Sequence, residues 1–495
     1  MGSMRFLVPR RDLFPLDAAE RAYMTGLEEI PWQTRVQWTD DGLVARRGES
    51  DSGCFHIPWK LADAGDVMQA TTSLMERDRP YHLPVELARG AVNRLRGQLA
   101  VWESIGLDTP AVVNQQIRVA VGHLSAAVIS QHDLMASTAK AAQTIDASFQ
   151  AMRSLIAAYV EQSFAARQRQ QGRSVKMLGV ALGRGVLKES IQRDIVSSFN
   201  AVVAPLPWNE LEPRESKYDW TLADRQIEWC RANNLRPFAG PILQWDKAAL
   251  PNWLYLWEGD FENLASVIVG QIKAVVNRYR GKVALWNCAA RLNAAELLSL
   301  DEEQRLRLAV LAVEATREAD PRAAVVISID QPWGEYMGRA SQDLSPLHFA
   351  DALARAELGL TGFWLEFNLG YQPGGGQPRD LFDVSRQLDR WSCLGLPLVV
   401  SLVVPSDIAP DPHARSNVAV LGAQESAAIS AATQAAWVDE YLPLLLAKPM
   451  VQAVVWNQLL DSAPHEFPHG GLYDQDQQAK PALAGLQAIR KKYLT

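Results

Sequence analysis

From residue 177 onward, short apolar runs and amphipathic helical stretches take turns eight times, and this alternation restricts the fold more than any other feature of the chain. The runs are Met177 to Ala181, Ala201 to Ala204, Pro237 to Leu243, Val283 to Cys288, Ala324 to Ile329, Gly362 to Phe367, Pro397 to Val404 and Gln452 to Trp456. Between them lie helical stretches such as Leu222 to Asn233, Asn263 to Arg280, Glu302 to Glu318 and Gln424 to Leu446. Eight βα units over about 320 residues predict an α/β fold, a closed (β/α)8 TIM barrel with long loops and its chemistry at the C-terminal strand ends. An open doubly wound sheet is the competing arrangement. Against it, the first strand is followed by Gly183-Arg184-Gly185, without the third glycine of a phosphate-binding loop.

Upstream the pattern differs. Met4 to Val8, Arg35 to Trp38, Leu43 to Arg46 and Cys54 to Ile57 read as short strands separated by turn residues. Val85 to Ile105, Pro110 to Ile129 and Leu134 to Gln168 then read as long helices, with Pro110 placed as a first-turn proline. The polar run Arg167 to Arg173 marks a boundary. The expected plan is a small β unit over 1–62, a helical segment over 63–172 and the barrel over 173–495. Four short strands are too few for a full carbohydrate-binding sandwich. The helices suit bracing of the barrel's outer ring or contact between copies in a homo-oligomer. Trp32, Trp38, Trp59 and Trp102 serve as core or as ligand-facing rings equally well.

Composition narrows the function. With 48% apolar and 21% charged residues the chain can bury a large core. A net charge of −7 without a dense Lys/Arg stripe argues against nucleic acid as a partner. The most apolar run, Leu396 to Val404, is strand-sized, so no membrane span is expected. Cys54, Cys230, Cys288 and Cys393 form no CxxC pair, which argues against a zinc knuckle or a disulfide scaffold. The start has no apolar signal region, so a cytoplasmic location is the default expectation; Met1-Gly2-Ser3 reads as an expression scar, and a native signal replaced by that tag is the alternative. No cofactor motif is present.

The segment from Phe199 to Trp253 carries Trp208, Glu212, Pro213, Tyr218, Trp220, Ala223, Asp224, Gly240, Leu243, Trp245, Leu250, Pro251 and Trp253 in order. Tyr279-Arg280-Gly281-Lys282-Val283 and Trp286 follow, and the end supplies Val455-Trp456, Asp461-Ser462, Leu472-Tyr473-Asp474 and Lys480-Pro481-Ala482. This series resembles the family 10 glycoside hydrolases, the xylanase family, over about residues 175 to 495. The resemblance implies a barrel that binds carbohydrate, with tryptophan faces to stack on sugar rings and carboxylates or amides to hold hydroxyls. Trp245, Trp286 and Trp456 stand at or near strand ends and are the expected platforms.

The resemblance fails where the family works. Its acid/base and nucleophile glutamates lie at the ends of strands four and seven. Ungapped extension from Tyr279 puts Arg291 at the first position, and an arginine cannot donate and reclaim a proton. Extension along Leu394 to Val404 puts Leu402 at the second, and leucine offers no lone pair. The family's R-G-H histidine becomes Pro241, and the stretch after strand two shortens to Ala204-Pro205-Leu206-Pro207. An alternative alignment makes Glu366 the nucleophile, but only about 75 residues then separate the two catalytic strands, too few for two intervening βα units. Glu366 belongs on strand six.

Glu366 faces inward there, either paired with Arg291 across the mouth or working with a second carboxylate. Asp330 after strand five and Asp246 after strand three complete the catalytic candidates, with Glu335 and Asp461 as alternates. The expected substrate contacts are Trp245, Trp286, Asn287, Arg291, Trp364, Asn368, Trp456, Asn457 and Asp461. Cys288 has no histidine in its strand end to activate it and reads as a small buried hydrophobe. His465 and His469 flank Pro468, which prevents a helix presenting both, so no metal site is expected.

Overall fold

In a computed structural model, the chain is described over residues 2–494 apart from 62–64, 172–175, 186, 295–296, 341 and 423–428. Eight parallel strands close into a ring: Met177–Ala181, Ala201–Ala204, Arg236–Ala239 with Leu243–Gln244, Leu285–Ala290, Ala324–Asp330, Gly362–Asn368, Leu398–Val403 and Val451–Trp456. Strand eight pairs with strand one through Val454 and Leu178, and strand three with strand four through Phe238 and Leu285, so no edge is left. This is the expected TIM barrel.

Both faces of each strand are buried. Val203, Phe238, Leu285, Val326, Trp364, Val399 and Val455 fill the inside, while Val202, Ile327, Phe363, Val400, Leu402 and Val454 face the helices. The last helix before strand eight is Ala431–Ala447, and the expected start of that stretch at Gln424 lies outside the described residues. Strand three is interrupted at Gly240. A Cβ there would come within 2.3 Å of the Asn287 carbonyl, which instead accepts from the Ile242 N–H at 3.0 Å, so only glycine lets strand three fold against strand four at this point.

The N-terminal β unit has more strands than expected. Among the described residues, Gly2–Leu7, Thr34–Trp38, Gly42–Arg47 and Tyr81–His82 form one sheet, and Tyr23–Thr25, Pro31–Trp32, Cys54–Leu61 and Gly65–Ala70 another. The two sheets pack over Phe6, Phe14, Phe55 and Trp59, with Phe6 stacked on Phe55 at 4.5 Å. Strands therefore continue past residue 62, and a sandwich forms. The extra strands are two to six residues long, too short to leave a clear period.

Helices Leu83–Ser104, Ala111–Ile129 and Leu134–Gln171 follow, and the expected boundary at 167–173 falls partly outside the described residues. They brace the barrel: Trp102 stacks on Tyr159 at 4.2 Å and meets Phe382 edge-on. Arg167 donates to the Leu446 and Ala447 carbonyls at 3.1 and 2.9 Å, capping the C-terminal end of Ala431–Ala447. Helix Ala111–Ile129 leaves Val112, Val119 and Ile129 exposed. Among the described residues no helix is long and apolar enough to cross a membrane.

Candidate functional site

Strand alternation decides which side chains reach the barrel mouth. On strand six Trp364, Glu366 and Asn368 point inward, and the register sets Asp330 of strand five and Ser401 of strand seven beside Glu366. Arg291 directly follows strand four, and its backbone is left-handed at φ 67°. That conformation is strained for a side chain of this size, and the contacts of the guanidinium hold it there.

Those contacts use all three guanidinium nitrogens. Nε and Nη2 donate to Glu366 Oε2 at 3.1 and 3.0 Å. Nη1 reaches Asp246 Oδ2 at 3.0 Å and Glu466 Oε1 at 2.6 Å, and Nη2 also reaches Glu466 Oε2 at 3.1 Å. A second cation joins them: Arg415 Nη1 lies 2.6 Å from Asp246 Oδ2 and 3.3 Å from Glu466 Oε1. Asn368 donates to Glu366 Oε2 at 3.0 Å and accepts from Asn457 at 3.2 Å. Glu466 and Arg415 were absent from the sequence-derived candidates. Glu466 sits between the two histidines whose loop drew attention only as a metal motif, and nothing local links Arg415 to strands three and eight.

Two arginines therefore meet four carboxyl groups, counting Asp330. Burial works against the charge of Arg291, but Glu366 and Glu466 outweigh it and hold the guanidinium well above its ordinary range. Burial likewise pushes the Asp246 carboxyl up, yet Arg291 and Arg415 prevail and hold it below the usual carboxylate range. Asp330 behaves differently. Burial pushes its carboxyl up to about 7, Arg291 opposes this and Glu366 adds to it. Its Oδ2 accepts from Gln331 at 3.2 Å, while its buried Oδ1 has no hydrogen-bond partner.

A pocket of about 380 Å³ opens beside this cluster. Of the expected contacts, Asn287, Arg291, Trp364 and Asn457 line it, as does the catalytic candidate Glu366. Trp245, Trp286 and Trp456 do not, which corrects their assignment as platforms. All three are fully buried in the layer between strands and helices. Trp286 donates to Asp320 behind the barrel, and Trp456 to the Gly470 carbonyl at 3.0 Å. Asp461 is also corrected: it is buried in an ion pair with Lys480 and accepts from the Gly471 N–H at 2.7 Å. Leu402 points outward to the helices, so the inward positions of strand seven are Ser401 and Val403. Strand seven, Leu398–Val403, has no acidic residue at any position. Glu335 pairs with Arg379, away from Glu366.

Asp411, Asp461 and His469 bring ligand-type atoms within 4.8 Å of one another. Lys480 already supplies the positive charge there, pairing with Asp461 and donating to Ser406 at 2.8 Å, and His469 Nε2 lies 2.7 Å from the Ala409 carbonyl. This donor set does not fit a metal cation. Cys288 is buried against the Val326 carbonyl at 3.3 Å, and burial pushes its thiol up to about 12, the reverse of an activated nucleophile.

The residues that carry the family resemblance do structural work. Glu212 accepts from Trp208 Nε1 at 2.8 Å and from the Ser216 N–H at 2.6 Å, Trp253 donates to the Glu212 carbonyl at 3.1 Å, and Tyr279 donates to Asp224 at 2.9 Å. These ties fix loops and helices to the barrel's outside.

The model of glycosyl hydrolase family 10 matches residues 165–307, the stretch holding strands one to four. Endo-1,4-beta-xylanase 3 of Hypocrea jecorina is 26% identical over 164 residues, a match spanning 30% of this chain and 44% of that enzyme. Endo-1,4-beta-xylanase B of Thermotoga neapolitana is 28% identical over 82 residues, 17% of this chain and 23% of that enzyme. The chain thus matches less than half the length of these relatives. Among solved structures, native xylanase 10B from Thermotoga maritima superposes with a TM-score of 0.50 at 16% identity, covering 68% of this chain and 98% of that one. Residues 165–307 are thus similar to glycosyl hydrolase family 10, and the barrel as a whole shares the fold of the xylanase structures.

Proposed function

We propose that this protein binds carbohydrate at its barrel mouth without cleaving glycosidic bonds by the retaining route. One observation carries the reading: Arg291 stands among the mouth carboxylates and occupies them. Two oxygens of Glu366 and Glu466 share its Nη2 at 3.0 and 3.1 Å and so lie within about 6 Å of each other, close to the roughly 5–5.5 Å of a retaining pair. The guanidinium fills the space between them that an anomeric carbon needs. Glu366 Oε2 accepts three donors, which leaves that oxygen no place for a proton to transfer. Carbohydrate remains the ligand class, because the pocket offers amides, hydroxyls and the Trp364 ring, and because xylanase 10B from Thermotoga petrophila, 17% identical at a TM-score of 0.50, was solved with xylobiose.

Asp330 favours a second reading. A carboxyl near 7 with a free oxygen beside Glu366 is a general acid in waiting, and hydrolysis by Glu366 and Asp330, with Asp246 in support, is the enzyme version of this site. A panel of aryl β-glycosides and xylo-oligosaccharides, assayed beside calorimetric binding, separates the two. We expect binding with no turnover above that of Glu366→Gln. Turnover that Glu366→Gln abolishes overturns the binding reading in favour of the enzyme.

A further inference from the structure

The four outer charges of the mouth form a closed ring of alternating sign: Asp246 to Arg291 at 3.0 Å, Arg291 to Glu466 at 2.6 Å, Glu466 to Arg415 at 3.3 Å, and Arg415 to Asp246 at 2.6 Å. Asp246 follows strand three and Arg415 strand seven; Arg291 follows strand four and Glu466 strand eight. In a barrel of eight, three and seven are opposite, as are four and eight. Each of those two pairs therefore crosses the whole mouth, and the ring is a strap over it. Behind the strap, the loops after strands five and six are held by the N-terminal sandwich. Arg379 pairs with Glu335 and donates to Tyr23 Oη at 2.7 Å, and the Met68 N–H donates to the Pro378 carbonyl at 3.0 Å.

The pocket runs under this strap into the barrel. Its floor is made by Ser328, Trp364 and Ser401, inward residues on strands five to seven, so the packed interior that ends in Val326 and Val399 stops one layer short. Asn287, Gln244 and Asn457 stand in the wall. Asn287 donates to Ser328 at 2.6 Å, but its Oδ1 is buried with no partner, a vacant acceptor. Exposed rim residues are Arg184, Ala248, His413 and Pro464, which follow strands one, three, seven and eight, so the opening lies on that side. Every arginine and glutamate among the lining residues is already paired, Arg184 with Glu210 at 2.6 Å and the others within the mouth cluster.

We propose that this is a closed-ended pit that takes one end of a neutral saccharide, one or two sugar units, and not the interior of a glycan chain. The inference rests on the carbohydrate reading above. Three features point to it. The strap crosses the mouth, and among the described residues the exposed rim lies on the arc from strand seven through strand one to strand three, away from the loops held by the sandwich. The volume, about 380 Å³, is near the small end of the roughly 300–1,000 Å³ that ligand pockets span. Apart from the exposed His413 imidazole at the rim, the unengaged lining groups are neutral amides, hydroxyls and an indole, which suit hydroxyls rather than a phosphate or carboxylate.

Titration calorimetry with xylose, xylobiose and xylohexaose, and with glucose, cellobiose and cellohexaose, tests it. In the series that binds, the dimer and hexamer Kd values should agree within about threefold, since added units find no contacts. A tenfold or greater gain from dimer to hexamer overturns the pit while leaving carbohydrate binding intact. Failure of both series to bind sinks the carbohydrate reading itself, and this one with it. Ser401→Leu fills the floor and should weaken binding by about tenfold or more with native circular dichroism. Should that variant not fold, Ser328→Val makes the same test, and undiminished binding by either folded variant overturns the placement.

Discussion

Two buried ionic clusters hold this molecule, one at the barrel mouth and one in the seam between the N-terminal part and the barrel, and they are anchored differently. In the seam, Arg94 Nη1 lies 2.9 Å from Asp380 and 2.8 Å from Asp383, with Nη2 on Gln69 at 2.8 Å. Its acids have backbone partners as well: Asp380 caps helix Leu381–Ser392 by accepting from the Asp383 N–H at 2.8 Å, and Glu335 accepts from the Gln377 N–H at 2.9 Å. At the mouth, Glu366 is held by Arg291 and Asn368, and Glu466 by Arg291 and Arg415. Backbone donors make the seam a joint, whereas at the mouth Glu366 and Glu466 rest on side chains and Asp246 alone adds a backbone donor, the Ala248 N–H at 2.9 Å. The mouth depends on one hub, and a hub can be unmade.

The largest effect should therefore come from Arg291→Met. Removing the cation takes Glu366's ionic partner away and leaves Asp246 and Glu466 sharing Arg415 alone, and losing one partner of a buried pair costs about 3–5 kcal/mol. Urea denaturation at pH 7 measures it. A loss below about 1 kcal/mol would show that the mouth carboxylates do not need their hub.

Asp330→Asn comes next and acts through pH. The folded carboxyl titrates near 7, above its ordinary 3.8, so its contribution is fully present below about pH 4 and drains away as pH rises to 7. Asparagine does not titrate. Relative to the parent, the variant should gain about 2 kcal/mol between pH 5 and pH 8, less than the full shift implies because Arg291 and Glu366 share the same field. Parallel stability profiles for the two proteins would return Asp330 to an ordinary carboxylate.

Arg94→Met, the seam's counterpart of the hub deletion, should cost about 2 kcal/mol, since Asp380 keeps its helix-capping bond when the guanidinium goes. A cost equal to that of Arg291→Met would erase the distinction between joint and hub.

The same contrast explains what the sequence revealed. The barrel was legible because strands buried on both faces read as unbroken apolar runs, and all eight came through within about two residues, the precision expected at element boundaries. That very property hid the facing. Trp286, Trp456, Trp245 and Leu402 are each one residue away from an inward, pocket-lining side chain: Asn287, Asn457, Gln244 and Ser401. A one-residue change of parity turns every side chain of a strand to the other face, and a run apolar on both faces carries no mark of its parity. Glu366 was legible because a carboxylate in such a run has to be accounted for. Glu466 and Arg415 were not, since their partners come from strands four places around the ring. The sandwich escaped because three of its four extra strands are only two or three residues long and carry no period, and the motifs that resemble the family are present because Glu212, Asp224 and Lys480 tie the scaffold together rather than touch a ligand.

The smallest effect belongs to Arg415→Gln, and it tests the strap most directly. Arg415 is the most accessible corner of the ring, with 24% of its side chain accessible against 17% for Asp246 and Glu466 and 7% for Arg291, so solvent screens its two ion pairs and the stability cost should stay within about 1 kcal/mol. Asp246 keeps Arg291 and the Ala248 N–H, and Glu466 keeps Arg291, so neither carboxylate is orphaned. What changes is the crossing from strand seven to strand three. If the strap closes the pit, Arg415→Gln should let cellohexaose or xylohexaose bind better than the matching dimer, whereas the parent protein is expected to bind both alike. A variant that is stable yet still indifferent to chain length would mean that the remaining pair, Arg291 with Glu466, closes the mouth alone.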